Sequence, residues 1–381
     1  MTRIPNPDLS VGADNKQGWN QPAHRRHGFH NAHLLLRRAL MLRADQHLVL
    51  ESAECSGLAD RPEVATLIGR PEFSALVCVR GTDVVLSRHA PDFPADQPHS
   101  IQSVTKLFMH LIAGRLIGEG RLDPDKAVER HVPEIGSGYR GASIQDVLDM
   151  NVINDFVEDY SDPYADSFAE EVALGWRLPS EGTVEITLRD FVSSIKGRDL
   201  ANRSGEINYC SANTDLLTLI CDRIIPGQLP DLMMDIVEAS GLTGAFHISL
   251  SPDGLPAFSG GGCLSAIDLA RFGLLLARVA RGEDAGPWNH DLARQTRVEA
   301  AKTLSPPRDF VRYANQMMTN GRWIGHAGYG GQFLMVDTKT GLSCAYLSVL
   351  ENASGYCEDY MAETIECLQI LTEVFERETG L

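Results

Sequence analysis

Apolar residues along the chain change their spacing three times. Residues 32–44 set leucines and alanines at helical intervals beside arginines, which predicts an amphipathic helix packed on a sheet. The period then shortens to two. Phe73 to Ser87 reads as two strands joined at Gly81-Thr82-Asp83, a hairpin. From Ser103 to about Asp268 the pattern is mostly helical. Helices are expected near 104–119, 144–150, 188–195, 212–224 and 229–239, separated by loops rich in Asp, Pro and Gly. After Gly260-Gly261-Gly262 another helix runs from Ala266 to Leu276. The tail returns to strands at 332–337 and 342–350, flanking Thr338-Lys339-Thr340-Gly341 as a second hairpin, with a closing helix at 359–378. Strands at both ends with helices inserted between them predict an α+β fold: an antiparallel sheet completed by both termini, flanked by helices, plus a mainly helical lobe.

Three units follow from this pattern. Residues 1–35, rich in Pro, Asn, Gly and His, are expected to form an extended arm. Residues 36–100 and 262–381 build the sheet domain, and 101–261 the helical one. A chain of 381 residues with 43% hydrophobic content can bury a large core. The net charge of −17, spread without long single-sign blocks, argues against nucleic acid and anionic membrane surfaces as partners. Eight cysteines show no Cys-x-x-Cys pairing and stand mostly among apolar neighbours, which predicts buried free thiols in a reducing cytoplasm. Met1-Thr2-Arg3-Ile4-Pro5 lacks the apolar segment of a secretory signal, and no run is long enough to span a membrane, so a soluble cytoplasmic protein is expected. His24, His27, His30 and His33 recur every three residues. No carboxylate or cysteine set accompanies them and Arg25 and Arg26 oppose a cation, so no metal is assigned.

The candidate chemistry starts at Ser103-Val104-Thr105-Lys106, directly before the apolar run Leu107 to Gly120. Residues three apart share a helix face, so Lys106 would hold its amine beside the Ser103 hydroxyl, as acyl transfer requires. At a helix N-terminus the free N–H groups and the dipole also favour developing negative charge. The competing reading is an ordinary helix cap with a solvated lysine. Ser193-Ser194-Ile195-Lys196 has the same spacing, but Gly197, Arg198 and Asp199 follow it, so it reads as a surface helix end.

Two later segments, Glu206 to Asp215 with Tyr209 and His326-Ala327-Gly328, join the serine–lysine pair in the order found in the penicillin-recognising serine hydrolases, which the chain therefore resembles. It is most similar to the branch of 6-aminohexanoate-dimer (nylon oligomer) hydrolases, on Val147 to Met150, Glu158 to Pro163, Gly175-Trp176-Arg177, Gly205 to Leu216, Gly261-Gly262 with Asp268 to Arg271, and Tyr329 to Gln332. The resemblance covers about residues 70–350. It implies a β-lactamase/D-alanyl-peptidase-like fold, Ser103 as nucleophile, and Lys106 with Tyr209 as the pair that takes its proton. The backbone N–H groups of Ser103 and Tyr329 would form the oxyanion hole. A tyrosine serves as base only if its pKa falls, and the adjacent ammonium is the expected cause.

The same resemblance implies a substrate site lined by Tyr160, Trp176, Ser259, His326 and Gly328. Glu171 stands where these enzymes place an aspartate beside a substrate ammonium. Ser211 replaces an asparagine usual in β-lactamases, and His326 a lysine, which argues against efficient β-lactam turnover and weakens the pull on a substrate carboxylate. The expected function is a serine hydrolase cleaving a small amino-terminated amide through an acyl-enzyme, with no cofactor or metal. A carboxylesterase is the alternative, and a non-catalytic penicillin-binding-like sensor the alternative from another class. A homodimer is left open.

Overall fold

The computed structural model describes residues 15–160, 162, 164–283 and 285–380. Residues 1–14 of the expected arm, and Ser161 and Pro163 of the loop quoted above, lie outside the described residues. In chain order the strands are β1 (Ala39–Leu42), β2 (Glu51–Ser52), β3 (Phe73–Arg80), β4 (Asp83–His89), β5 (His99–Ser100), β6 (Phe246–Ser249), β7 (Gly262–Leu264), β8 (Arg312–Ala314), β9 (Met317–Thr319), β10 (Trp323–Gly328), β11 (Gln332–Asp337) and β12 (Ser343–Ser348). Among the described residues one sheet runs β2-β4-β3-β12-β11-β10-β9-β8 and a smaller one β1-β6-β7-β5. Every neighbouring pair is antiparallel except β2 with β4. Both expected hairpins form, and β3 and β12 pair directly, so the two ends of the chain complete one sheet.

Strand alternation divides the large sheet between two cores. Ala75, Val77, Val79, Leu334, Val336, Ala345 and Leu347 face the core shared with helix Ala266–Arg281 and the helical lobe. Leu76, Cys78, Phe333, Met335, Cys344 and Tyr346 face the opposite core, packed against helices Pro62–Ile68 and Glu358–Thr379. Cover on both faces is why β10, β11 and β12 are buried at every position.

The helical lobe is organised around helix Lys106–Gly118, which is apolar on all sides and therefore central rather than amphipathic. Phe108 stacks between Phe246 and Phe272, with ring centroids 4.3 Å from each. Helices Ile144–Leu148, Leu188–Ser194, Ser211–Ile224 and Leu229–Ser240 fall where the periodicity places them. No described helix is long and apolar enough to cross a membrane. The cysteines are all free, and six of the eight are buried.

Two expectations differ at the N-terminus. The described part of the arm is not extended: it forms helices Asn15–Trp19 and Pro22–Leu35. Pro22 at the first position pre-sets helical φ, and Phe29, Ala32, Leu35, His30 and Arg25 are buried, so this segment contributes to the core. Arg25 holds it down by donating to the carbonyls of Leu350 (2.7 Å) and Asn352 (2.6 Å). The expected helix over 32–44 is instead the end of Pro22–Leu35 followed by β1. Leu40 and Leu42 turn inward while Met41 is exposed, a period of two that the leucine run had disguised. His30 donates or accepts at Ser74 Oγ (2.9 Å), and no group of three or more potential metal ligands occurs among the described residues.

Candidate active site

Ser103 lies in a 3₁₀ turn, Gln102–Thr105, that feeds into helix Lys106–Gly118. Gln102 has φ of +47°, a conformation that costs a non-glycine residue on the order of 1–3 kcal/mol and recurs at sites that must aim a side chain. One turn on, Lys106 is fully buried, so the solvated-lysine reading fails. Its Nζ donates to Ser103 Oγ (3.0 Å), Ser211 Oγ (3.1 Å) and the Ser259 carbonyl (2.6 Å). Ser103 Oγ in turn donates to the same carbonyl at 3.3 Å. By contrast Lys196 is exposed beyond the end of helix Leu188–Ser194, as expected of a surface helix end.

The third partner is Tyr209, whose ring lies 5.2 Å from Lys106 Nζ. Burial disfavours the Lys106 charge, but the Tyr209 phenol and the Glu158 carboxylate outweigh it and hold the pKa above the ordinary lysine value. For Tyr209, burial pushes the phenol up, while the Lys106 ammonium and hydrogen bonding with Ser103 and Lys106 pull it down. Burial prevails. Burial therefore overrides the expected depression of Tyr209, and with both members raised the pair must release a proton before it can accept one. Glu158 anchors this network by accepting from Ser211 N (2.6 Å), Ser211 Oγ (2.8 Å) and Tyr160 OH (2.6 Å).

A second wall comes from the end of β10. A Cβ on Gly328 would sit 2.6 Å from the Ile101 carbonyl and 3.0 Å from Gln102 Cβ, so only glycine lets this strand touch the Ser103 turn. The contact brings the end of β10, and with it Tyr329, to the cleft that Ser103 lines. Among the described residues neither the Ser103 nor the Tyr329 N–H has a hydrogen-bond acceptor, which leaves two donors free for an oxyanion. Between the walls is a cleft of about 520 Å³ lined by Ser103, Tyr160, Tyr209, Gly328, Tyr329 and Arg308, among others. That volume suits a small organic substrate.

Not all expected site residues face this cleft. His326 is buried, its Nδ1–H donating to the Ala327 carbonyl (2.6 Å) and Nε2 accepting from Tyr313 OH (3.3 Å). Burial, aided by the Lys106 charge, lowers its pKa to about 3, so it is neutral and supports β10 rather than meeting a substrate carboxylate. Ser259 contributes its backbone oxygen, not its side chain. Glu171 is 3% exposed and already engaged: Lys16 pairs with Oε1, and Arg177 donates to Oε2 from Nε (3.1 Å) and Nη2 (3.0 Å). Trp176 donates to Ser249 Oγ (2.6 Å) and carries the Lys16 ammonium 4.6 Å from its ring.

Lys16 and Glu158 are functional candidates that sequence reasoning missed, and Ser211, read there only as replacing an asparagine, joins Lys106 to Glu158. Glu158 stood two residues before Tyr160 and Ser211 two after Tyr209, which was the available signal. Lys16 had none, because its partner is 155 residues away.

Comparison with known proteins identifies relatives of the chain. The family model described as Beta-lactamase matches residues 63–363. A 6-aminohexanoate-dimer hydrolase of Paenarthrobacter ureafaciens is 30% identical over 274 residues, covering 71% of this chain and 69% of its own. A solved structure from Bacillus anthracis, assigned by name to the 6-aminohexanoate-dimer hydrolases, superposes with a TM-score of 0.78 at 19% identity over 96% of this chain and 98% of that one. A D-stereospecific amidohydrolase from a Streptomyces species superposes with a TM-score of 0.58 at 16% identity, covering 82% and 98%. At such identities the structural matches speak for the fold alone.

Proposed function

The chain belongs to the beta-lactamase family, within the penicillin-recognising serine hydrolases, and from this premise we propose that it hydrolyses small linear amides through an acyl-enzyme formed on Ser103. One observation carries the reading: a fully buried lysine held against the Ser103 hydroxyl, with the Tyr209 ring 5.2 Å from its ammonium.

Ser103 Oγ attacks the carbonyl carbon, and its proton passes to the Lys106–Tyr209 pair once that pair has given up its extra proton. The oxyanion rests on the N–H groups of Ser103 and Tyr329, each worth about 3–4 kcal/mol in comparable sites. Collapse of the tetrahedral intermediate breaks the C–N bond, and the pair returns the proton to the leaving nitrogen. Tyr160 lines the cleft wall with its O–H held by Glu158. Water then attacks the acyl carbon by the same relay and releases the acid, restoring Ser103 Oγ–H. No step calls for a metal or cofactor.

A second reading is ester hydrolysis with a neutral acyl part. Glu171, which the family resemblance assigns to a substrate ammonium, is engaged by Lys16 and Arg177, and this favours acyl groups without an amino end. The test is a panel of 6-aminohexanoate linear dimer, a p-nitrophenyl ester and nitrocefin with wild type and Ser103→Ala. Amide turnover that vanishes in the variant supports the amidase. Ester turnover alone moves the assignment to esterase, and no turnover with no stoichiometric burst overturns both.

A further inference from the structure

The ammonium of Lys16 sits in surroundings that suit an ammonium ligand. Its Nζ is 4.6 Å from the Trp176 ring, 5.8 Å from Tyr160 and 5.9 Å from Tyr329, with the Glu171 carboxylate on the remaining side. Aromatic faces around one carboxylate are what an organic cation needs when it leaves water. Two of those rings, Tyr160 and Tyr329, also line the cleft at Ser103. The third, Trp176, meets the backbone at Gly260, next to the Ser259 carbonyl that Ser103 and Lys106 share. The cage therefore shares walls with the candidate active site.

What fills it is a short helical segment of the chain. Helix Asn15–Trp19 has five residues, far too few to be stable alone. Among the described residues its attachments include the Lys16 N–H to the Trp176 carbonyl (3.2 Å), Asn20 Nδ2 to Tyr329 OH (3.3 Å), Arg25 Nε to the Asn20 carbonyl (3.0 Å) and Oδ1 (2.9 Å), the Trp19 ring on Phe29 and against Gly28, and the buried Lys16–Glu171 pair. Arg177 donates to Oε2 of Glu171, and Lys16 pairs with Oε1.

We propose that Lys16 is an internal ligand: it fills a cage that would hold a primary alkylammonium, and closes this subsite to amino-terminated substrates while helix Asn15–Trp19 is docked. Displacing the helix opens the subsite and converts an enzyme for neutral acyl groups into one that accepts an amino end. The substrate-selectivity part rests on the hydrolase reading above. The cage itself does not.

The experiment compares wild type, Lys16→Ala, and Lys16→Ala combined with Glu171→Gln in thermal melts with n-butylammonium chloride, using sodium chloride at equal concentration as control. A saturable rise in Tm of several degrees is expected for Lys16→Ala, and none for the other two. Equal shifts in all three, or none in Lys16→Ala, overturn the proposal. If Lys16→Ala folds only when the amine is present, the cage is refilled as proposed. If it stays unfolded with and without amine, the proposal fails. In parallel, the rate ratio of p-nitrophenyl 6-aminohexanoate to p-nitrophenyl hexanoate is expected to rise about tenfold or more in Lys16→Ala, and an unchanged ratio contradicts the closure. Failure of wild type to cleave either ester counts against the hydrolase reading, while the melts still decide the cage.

Discussion

Gly328→Ala tests the link between backbone geometry and chemistry most sharply. Its added methyl would lie 2.6 Å from the Ile101 carbonyl oxygen, 3.0 Å from Gln102 Cβ and 3.1 Å from Gln332 Cβ. Carbon–oxygen contacts settle at about 3.3–3.6 Å, so the end of β10 must retreat by roughly 0.7 Å from the Ser103 turn. All three neighbours are backbone or Cβ atoms, and none can swing away. The Tyr329 amide moves with the strand. A donor drawn back from about 2.9 Å to about 3.6 Å no longer makes a hydrogen bond. Losing one oxyanion donor should lower kcat by about 10²–10³-fold, or about 3–4 kcal/mol of transition-state stabilisation. Overpacking should cost only about 1–3 kcal/mol of stability, which a chain of this size tolerates. Steady-state kinetics on a p-nitrophenyl ester would separate kcat from KM, with urea denaturation to verify folding. A folded variant whose kcat lies within about three-fold of wild type would refute the oxyanion assignment for Tyr329.

Other outcomes follow from the same geometry. The Lys106–Tyr209 pair, with both groups held above their ordinary values, must shed a proton before it can take one from Ser103. The value of kcat/KM for an uncharged ester should therefore climb from about pH 7 towards pH 10, and a plateau already reached near pH 6 would contradict the pairing. His110 is fully buried, its Nδ1–H on the Asn315 carbonyl (2.8 Å), and burial lowers its pKa to about 4. The unfolded chain binds a proton there that the folded one refuses, so stability is lost as pH falls from about 6.5 towards 4. Wild type should lose about 1 kcal/mol more than His110→Gln between pH 6 and pH 5 in urea titrations, and parallel losses would exclude the effect.

Strong local periodicity made most of the fold legible. The run from Leu107 to Gly118 could only be a buried helix, and the two hairpins carried turn residues between strands of β-branched and apolar type. Residues 32–44 misled because Leu34, Leu35 and Leu36 bridge a helix end and a strand, and leucine serves both. The arm misled because its Pro and Gly content suggested extension, whereas Pro22 opens a helix and Gly28 is packed against Trp19. Within the site, the Ser103–Lys106 contact follows from helix geometry and was readable. The roles of Glu158, Lys16 and Arg177 arise from contacts between distant segments, which a single sequence does not encode locally. His326 shows the opposite error: its place beside Ala327 and Gly328 suggested a ligand contact, and burial behind Tyr209 and Tyr313 removes it from the cleft.

The central claim is that Ser103 becomes acylated, and intact-protein mass spectrometry on acid-quenched mixtures with a p-nitrophenyl ester measures this directly. The account predicts one acyl group per chain during turnover, located on the peptide containing Ser103 and absent from Ser103→Ala. Turnover at the wild-type rate by Ser103→Ala, or an acyl group carried on any other residue, would contradict it.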